Sequence, residues 1–243
     1  MKFAYLIEPP FNYVGSDGRV TGCDVELARH VFWELGIADF EPVETEFAEL
    51  LPGLSNGRWS MTTGLFSTKE RRRVAQFSLP IWALPDGLLV KKGNPRGLTG
   101  YSAVADLNDA RLAVIRDQFQ HRSAIEFGIA EERIAIFETY AEAAMAVREG
   151  IVDAYASVGR AHSGFIEQHQ DWALELVVVP KEEKPAAFGS FAFNLSDTIL
   201  LKEVDKFLSE FLGSKAHRKM VAPFGFSSGE VDLVAHAPTK NGH

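Results

Sequence analysis

Residues 112–157 read LAVIRDQFQHRSAIEFGIAEERIAIFETYAEAAMAVREGIVDAYAS, and this stretch decides the fold class. Its apolar runs, which we predict to be strands, are Leu112 to Ile115, Ile134 to Phe137 and Val152 to Ser157. Amphipathic stretches separate them. Thr139 and Glu142 form a capping box before the second such stretch, and Gly150 is placed to end that helix. Strands that alternate with helices in this way are typical of an α/β fold with mainly parallel pairing.

The same alternation extends along the rest of the chain. The other predicted strands are Phe3 to Ile7, Glu41 to Thr45, Arg58 to Thr63, Gly87 to Lys91, Leu174 to Val179 and Phe188 to Phe193. Asp24 is predicted to cap a helix that ends at Gly36. Ser196 opens a long helix with one apolar face, formed by Ile199, Leu200, Val204, Phe207, Leu208 and Phe211. From Val231 to His243 the periodicity is lost, so this tail is predicted to be loose.

Composition excludes several classes of protein. The chain has 243 residues, of which 46% are hydrophobic and 24% are charged, as in ordinary globular domains. Its net charge of -8 makes nucleic acid a poor partner. Cys23 is the single cysteine and the histidines lack metal-ligand spacing, so we expect no metal and no cofactor. Charges interrupt every apolar stretch, which argues against membrane insertion.

Residues 64–71, GLFSTKER, suggest a receptor for a carboxylate. A strand is predicted to end near Gly64, and Ser67 with Glu70 is the pattern of a capping box that starts a short helix. Free backbone N–H groups would then face the loop. Arg71 adds a planar guanidinium suited to a carboxylate. The alternative is a solvated basic patch, and we adopt that interpretation for the next two arginines.

Two further loops follow predicted strands, where ligands of open parallel sheets bind. Residues 8–11, Glu-Pro-Pro-Phe, place Glu8 and Phe11 in a turn restricted by two prolines. The alternative is a surface acid beside a core aromatic ring. Residues 116–120 precede another predicted helix, whose N-terminal donors suit a small anion. An ordinary polar loop is the alternative there.

In order along the chain, these short motifs resemble the type II solute-binding proteins of ABC importers, in the family that captures polar amino acids. The motifs are Pro9-Pro10-Phe11, Gly22-Cys23-Asp24, Leu51-Pro52-Gly53-Leu54, Thr68-Lys69-Glu70-Arg71, Phe77-Ser78-Leu79-Pro80, Gly150-Ile151-Val152-Asp153-Ala154 and Phe224-Gly225-Phe226. The resemblance implies two α/β lobes joined by two crossing strands, with the ligand in the cleft. Lobe 1 would comprise residues 1–87 and 188–243, and lobe 2 residues 88–187.

Within that family the sequence resembles ectoine and hydroxyectoine-binding proteins, which share the Glu-Pro-Pro-Phe start. The resemblance implies that Glu8 faces a cationic ring and Arg71 holds a carboxylate. The other ligand-binding residues would be Phe11, Phe47, Gly64 and Phe66 in lobe 1, and Gln118, Phe119 and Ser157 in lobe 2. The chain departs from those proteins in two places. Phe47 replaces a tyrosine, and Phe119 replaces a small hydroxyl residue.

One replacement bears on the charge of the ligand. In this family, proteins that bind ordinary α-amino acids usually carry a carboxylate a few residues after the Asp153-Ala154 pair. Here Ser157 and Val158 follow instead. Glu8 would then supply the negative charge, because desolvating a cation without a partner is costly. Aromatic rings suit a diffuse cation, so the pattern favours a zwitterion whose positive charge is spread.

We therefore predict a non-catalytic receptor, expected to be monomeric, that captures a small zwitterion by closure of its lobes. If exported, it would act with ABC permease subunits in the periplasm. One alternative is a dehydratase-like enzyme for cyclic carboxylates, with Glu8 as general acid. Another is a cytoplasmic ligand sensor, because no signal peptide precedes Glu8 if Met1 is the native start.

Overall fold

The structure is a computed structural model that describes residues 1–236. These residues form two compact units. Unit 1 contains Met1–Ile7, Phe11–Ala83 and the described residues from Phe188 onward, and unit 2 contains Glu8–Pro10 and Leu84–Ala187. The predicted lobe boundaries remain a prediction. They differ from the two units in the placement of Glu8–Pro10 and of residues 84–87.

Strands and helices alternate through both units. Unit 1 starts with β1 (Lys2–Tyr5), β2 (Tyr13–Val14), β3 (Val20–Thr21), α1 (Cys23–Glu34), β4 (Glu41–Glu44), α2 (Leu50–Ser55), β5 (Met61–Thr62), β6 (Leu65–Phe66) and β7 (Gln76–Leu84). Unit 2 continues with β8 (Asp86–Lys91), α3 (Tyr101–Asp106), β9 (Leu112–Ile115), α4 (Phe119–Glu126), β10 (Ile134–Phe137), α5 (Tyr140–Glu149), β11 (Ala154–Val158), α6 (Gly159–Gln168) and β12 (Leu174–Val178). The chain returns to unit 1 with β13 (Ala187–Phe193), α7 (Thr198–Phe211), α8 (Lys215–Val221) and α9 (Ser228–Ala235).

The sheets of the two units are built from different strands. In unit 1 the order is β4-β1-β5 with parallel pairing, and β6-β13-β7 form a second sheet in which β13 runs antiparallel to β6. In unit 2 the order is β10-β9-β11-β8-β12. There β9 is parallel to β10 and β11, whereas β8 is antiparallel to β11 and β12. The α/β class is therefore confirmed, with a mixed sheet in unit 2.

Alternating strand residues supply much of the core of unit 2, because successive side chains of a strand point to opposite faces. The core of unit 2 contains Leu88, Val90, Leu112, Val114, Ala154 and Ala156 from the sheet, with Tyr101, Val104 and Ala124 from the helices. The core of unit 1 contains Ala4, Leu50, Leu54, Trp59, Leu65 and Phe77. Burial of these side chains positions the loops at the strand ends.

Several predicted boundaries are confirmed. Strands β9 and β10 span the residues predicted, and Thr139 and Glu142 make both hydrogen bonds of a capping box before α5. Gly150 ends α5 with φ of 79°, a left-handed conformation that glycine adopts without steric cost. The strand predicted over residues 58–63 is too long, because β5 covers only Met61–Thr62.

Other predictions are wrong. Asp197, and not Ser196, precedes α7, and Ile199 is 79% exposed while Leu201 is buried. The tail is helical in its first part, since Ser227 and Glu230 form a capping box that starts α9. Residues 237–243 of the predicted loose tail lie outside the described residues. Strand β7 was not predicted as a unit, because Pro80 interrupts its pattern.

Candidate functional site

The loop between β5 and β6 in unit 1 is held by a buried carboxylate. Asp24 accepts hydrogen bonds from Thr63 Oγ1 at 2.6 Å and from the Gly64 backbone N–H at 2.8 Å. Asn12 Nδ2 donates to the same Thr63 hydroxyl at 2.8 Å. Burial raises the pKa of the Asp24 carboxyl, while the hydrogen bonds from Thr63 and Gly64 lower it. These contacts connect the segment after Phe11 with the loop that carries Gly64.

The role predicted for Asp24 as a helix cap is therefore wrong. Gly22 occupies the N-cap position of α1 and Asp24 lies in the first turn. Its side chain points to the β5–β6 loop, because the Thr63 hydroxyl and the Gly64 N–H there donate hydrogen bonds to the buried carboxylate. Asp24 is a residue that organises the β5–β6 loop.

The segment after β6 brings Arg71 close to two of the predicted aromatic residues. Arg71 Nη1 donates to the Phe66 carbonyl at 3.1 Å, and its Cζ lies 5.2 Å from the centroid of the Phe47 ring. This distance is within the range of a cation–π interaction. The guanidinium of Arg71 is thus oriented by Phe66 and Phe47 within unit 1.

The capping box predicted at Ser67 and Glu70 is wrong. Arg71–Arg73 form a single 3₁₀ turn with no side-chain cap at Glu70. The backbone N–H of Arg71 donates to Thr68 Oγ1 at 3.2 Å, and Ser67 Oγ accepts a hydrogen bond from Arg72. No helix of useful length begins here, so a carboxylate receptor in this segment depends on the guanidinium of Arg71.

Phe11 and Phe66 both contact Trp82, a residue that the sequence analysis missed. The Trp82 ring lies 5.3 Å from the Phe11 ring and 5.6 Å from the Phe66 ring. A Cβ added to Gly64 would lie 2.7 Å from Trp82 Nε1, and one added to Gly189 would lie 2.2 Å from its ring. Two of the predicted aromatic residues, Phe11 and Phe66, thus share contacts with Trp82, while Phe47 lies against Arg71.

In unit 2, the carboxylate of Glu8 is held by the end of β11. Ser157 Oγ donates to Glu8 Oε1 at 3.1 Å, and Glu8 is only 8% exposed. Burial raises the pKa values of the Tyr140 and Tyr155 hydroxyls well above the usual tyrosine range, and the negative charge of Glu8 raises both further. The residues at the end of β11 carry no acid of their own, and the hydrogen bond from Ser157 places the Glu8 carboxylate there.

The remaining predicted residues lie at the start of α4. Gln118 occupies the N-cap position and is buried, and its Oε1 has no hydrogen-bond partner within residues 1–236. Phe119 is half-buried, and its ring centroid lies 4.9 Å from Lys184 Nζ. A buried amide oxygen without a partner is costly, which makes Gln118 a candidate to contact a polar ligand.

Beneath α4, a buried polar cluster holds Asp86. Tyr101 OH donates to Asp86 Oδ2 at 2.6 Å, Gln120 Nε2 donates to Oδ1 at 2.9 Å, and Lys184 Nζ forms an ion pair with the same carboxylate. Lys184 also donates to Ser123 Oγ at 2.7 Å. This cluster, which sequence reasoning did not find, ties α4 to β8 and to the segment before β13.

Across residues 1–236, no three His, Cys, Asp or Glu side chains come together in a way that could bind a metal ion. Over the same residues, no helix has both the length and the apolar character needed to cross a membrane.

Comparison with known proteins defines the class. Residues 2–237 match the family of bacterial extracellular solute-binding proteins, family 3, so the chain belongs to this family. It is similar to a probable amino-acid ABC transporter periplasmic-binding protein, y4tE, of Sinorhizobium fredii strain NGR234. The two are 28% identical over 99% of this chain and 81% of that protein.

Solved structures agree with the family. The crystal structure of EhuB in complex with hydroxyectoine has a TM-score of 0.86 and 29% identity, covering 98% of this chain and 94% of that one. The ancestral amino-acid-binding protein AncCDT-1, a precursor of cyclohexadienyl dehydratase, has a TM-score of 0.79 and 25% identity, covering 92% and 94%. The chain is thus a solute-binding protein of the amino-acid ABC-transporter type with the type II fold, and the relatives it matches are binding proteins of ABC transporters.

Proposed function

We propose that this protein captures a small zwitterion with a spread positive charge, of the ectoine and hydroxyectoine type, outside the cytoplasmic membrane for an ABC permease. The observation that carries the proposal is the Glu8 carboxylate bound by Ser157 Oγ at 3.1 Å. Glu8 thus supplies a carboxylate at the end of β11, whose own residues include no acid. The complex of EhuB with hydroxyectoine supports the same ligand class.

The proposed ligand contacts follow from charge. The ligand carboxylate binds Arg71, whose guanidinium is oriented by Phe66 and Phe47. The ligand cation binds Glu8, and the rings of Phe11 and Phe66 add cation–π attraction of roughly 0.5–2 kcal/mol each. Gly64, Gln118 and Phe119 complete the proposed site. A ligand with one acid and one diffuse cation matches one guanidinium and one carboxylate.

Titration calorimetry with ectoine and hydroxyectoine tests these roles. Glu8→Gln and Arg71→Ala should each weaken binding at least tenfold, because a hydrogen bond to a charged group is worth roughly 1.5–3 kcal/mol. Arg73→Ala is the matched control, since Arg73 is exposed in the same turn, and it should bind as the wild type does. Unchanged affinity in both site variants would refute the assignment.

Specificity gives a second test. We expect ectoine and hydroxyectoine to bind at least tenfold more tightly than L-arginine or L-glutamine. Either cation can pair with Glu8, but the rings of Phe11 and Phe66 attract a diffuse cation, whereas the compact α-ammonium of these amino acids loses more hydration than the rings replace. Thermal-shift titration ranks the affinities of these ligands, because a ligand that binds only the folded protein raises the protein's apparent stability. Tighter binding of either amino acid than of both ectoines would exclude the proposed ligand class.

A further inference from the structure

The segment Glu8–Pro10 groups with unit 2, although the residues on both sides of it belong to unit 1. Two features of unit 2 contact this segment. One is the Ser157 hydroxyl, which donates to Glu8. The other is Gly164, in the middle of α6.

Gly164 lies directly against the backbone of the two prolines. A Cβ on Gly164 would lie 2.6 Å from Pro9 C, 2.6 Å from Pro10 N and 2.7 Å from Pro10 Cδ. Two of these atoms are backbone atoms, so they cannot rotate away as the end of a side chain can. Gly164 is helical and has no positive φ, so its backbone would accept any L-residue. The glycine is therefore required by the close approach and not by conformation.

We propose that Gly164 and Ser157 are positioning residues, which hold the Glu8–Pro10 segment on unit 2 and thereby fix the Glu8 carboxylate for the cation of the ligand. This inference rests on the proposed function. Gly164 sets the depth of the segment, and Ser157 sets the orientation of the carboxylate. Ser157, predicted as a ligand contact, then acts through Glu8.

The decisive variant is Gly164→Ala, and α6 provides its matched control. A Cβ on Gly159, the first residue of the same helix, has its nearest neighbours at 3.5 Å or more, which is ordinary contact. Both changes replace glycine with a better helix former. In calorimetry with hydroxyectoine, below the melting temperature of each variant, Gly164→Ala should weaken binding at least tenfold. Gly159→Ala should stay within twofold of wild type.

A double-mutant cycle separates positioning from a general structural effect. If Gly164 acts through Glu8, Gly164→Ala should weaken a Glu8→Gln protein by less than threefold. Ser157→Ala removes the hydroxyl without adding bulk and should show the same coupling. It serves as the second variant if Gly164→Ala does not fold. Additive losses with Glu8→Gln, or full affinity in the positioning variants, would overturn the inference.

Crystal structures give a measurement that needs no ligand. In Gly164→Ala the distance from Ser157 Oγ to the Glu8 carboxylate should exceed hydrogen-bonding range, about 3.5 Å, while Gly159→Ala keeps it. An unchanged distance in Gly164→Ala would overturn the inference by itself. If the distance increases but Glu8→Gln binds hydroxyectoine normally, the positioning stands and the proposed role of Glu8 fails.

Discussion

The carboxylate of Asp24 accepts hydrogen bonds from Thr63 and Gly64, which lie 39 and 40 positions further along the chain. The local pattern around Asp24, an acid before an apolar helix, is the same as that of a helix cap. Only the distant donors distinguish the two roles, and no pattern within the helix contains them. Trp82 was missed for the same reason, because its contacts with Phe11 and Phe66 are made only in the folded chain.

The Asp24 network predicts a large effect from one buried residue. Asp24→Ala should lower the free energy of unfolding by about 2–4 kcal/mol, because it leaves the Thr63 hydroxyl and the Gly64 N–H without their acceptor. Asp24→Asn keeps one acceptor oxygen and should cost less. Urea denaturation measures both. The control is Asp17→Ala at an exposed loop position, and an Asp24→Ala effect as small as this control would contradict the prediction.

At the scale of elements, strands with a clear apolar run were predictable and the turns between them were not. Strands β9 and β10 were predicted to the residue, since Leu112–Ile115 and Ile134–Phe137 are bounded by polar residues. The capping pattern at Thr139 was realised and the similar one at Ser67 was not. An α-helix of ten residues follows Thr139, whereas only three helical residues follow Glu70. A capping box forms only where a helix follows it, and whether that helix forms depends on how the following residues pack.

In the buried polar cluster beneath α4, we expect the ion pair between Lys184 and Asp86 to stabilise unit 2. Lys184→Met should lower the free energy of unfolding by about 3 kcal/mol, because the buried Asp86 carboxylate keeps only neutral partners, Tyr101 and Gln120. Lys181→Met is the control, since its side chain is 86% exposed against 13% for Lys184. Equal urea midpoints for the two variants would show that the ion pair does not stabilise unit 2.

For the whole molecule, the ordered set of short motifs was the strongest signal, since it extends from Pro9 to Phe226 and indicated the family that residues 2–237 match. The alternation of strands and helices alone indicated only the α/β class. It could not show that β8 runs antiparallel to its neighbours, because strand direction in a sheet depends on chain connections that periodicity does not encode.

His162 predicts how the stability of the whole protein depends on pH. It is fully buried between Tyr140 OH, at 2.5 Å from Nδ1, and the Gly87 carbonyl, at 3.1 Å from Nε2. Burial lowers the pKa of His162 to about 3, from 6.5. Between these values the unfolded chain binds a proton that the folded chain excludes. The free energy of unfolding therefore falls as the pH drops below 6.5, by about 2 kcal/mol from this residue between pH 6.5 and 4.5.

Urea denaturation across this pH range isolates the contribution of His162. His162→Gln retains a donor and an acceptor but cannot titrate, so its stability should fall less steeply with acid than that of the wild type. His217, whose pKa burial lowers to about 4, remains in both proteins and cancels in the comparison. His236→Gln, at an exposed position, controls for the loss of a histidine. Parallel pH profiles for wild type and His162→Gln would mean that the folded protein accepts a proton on His162, and that its burial against Tyr140 and Gly87 does not keep the imidazole neutral.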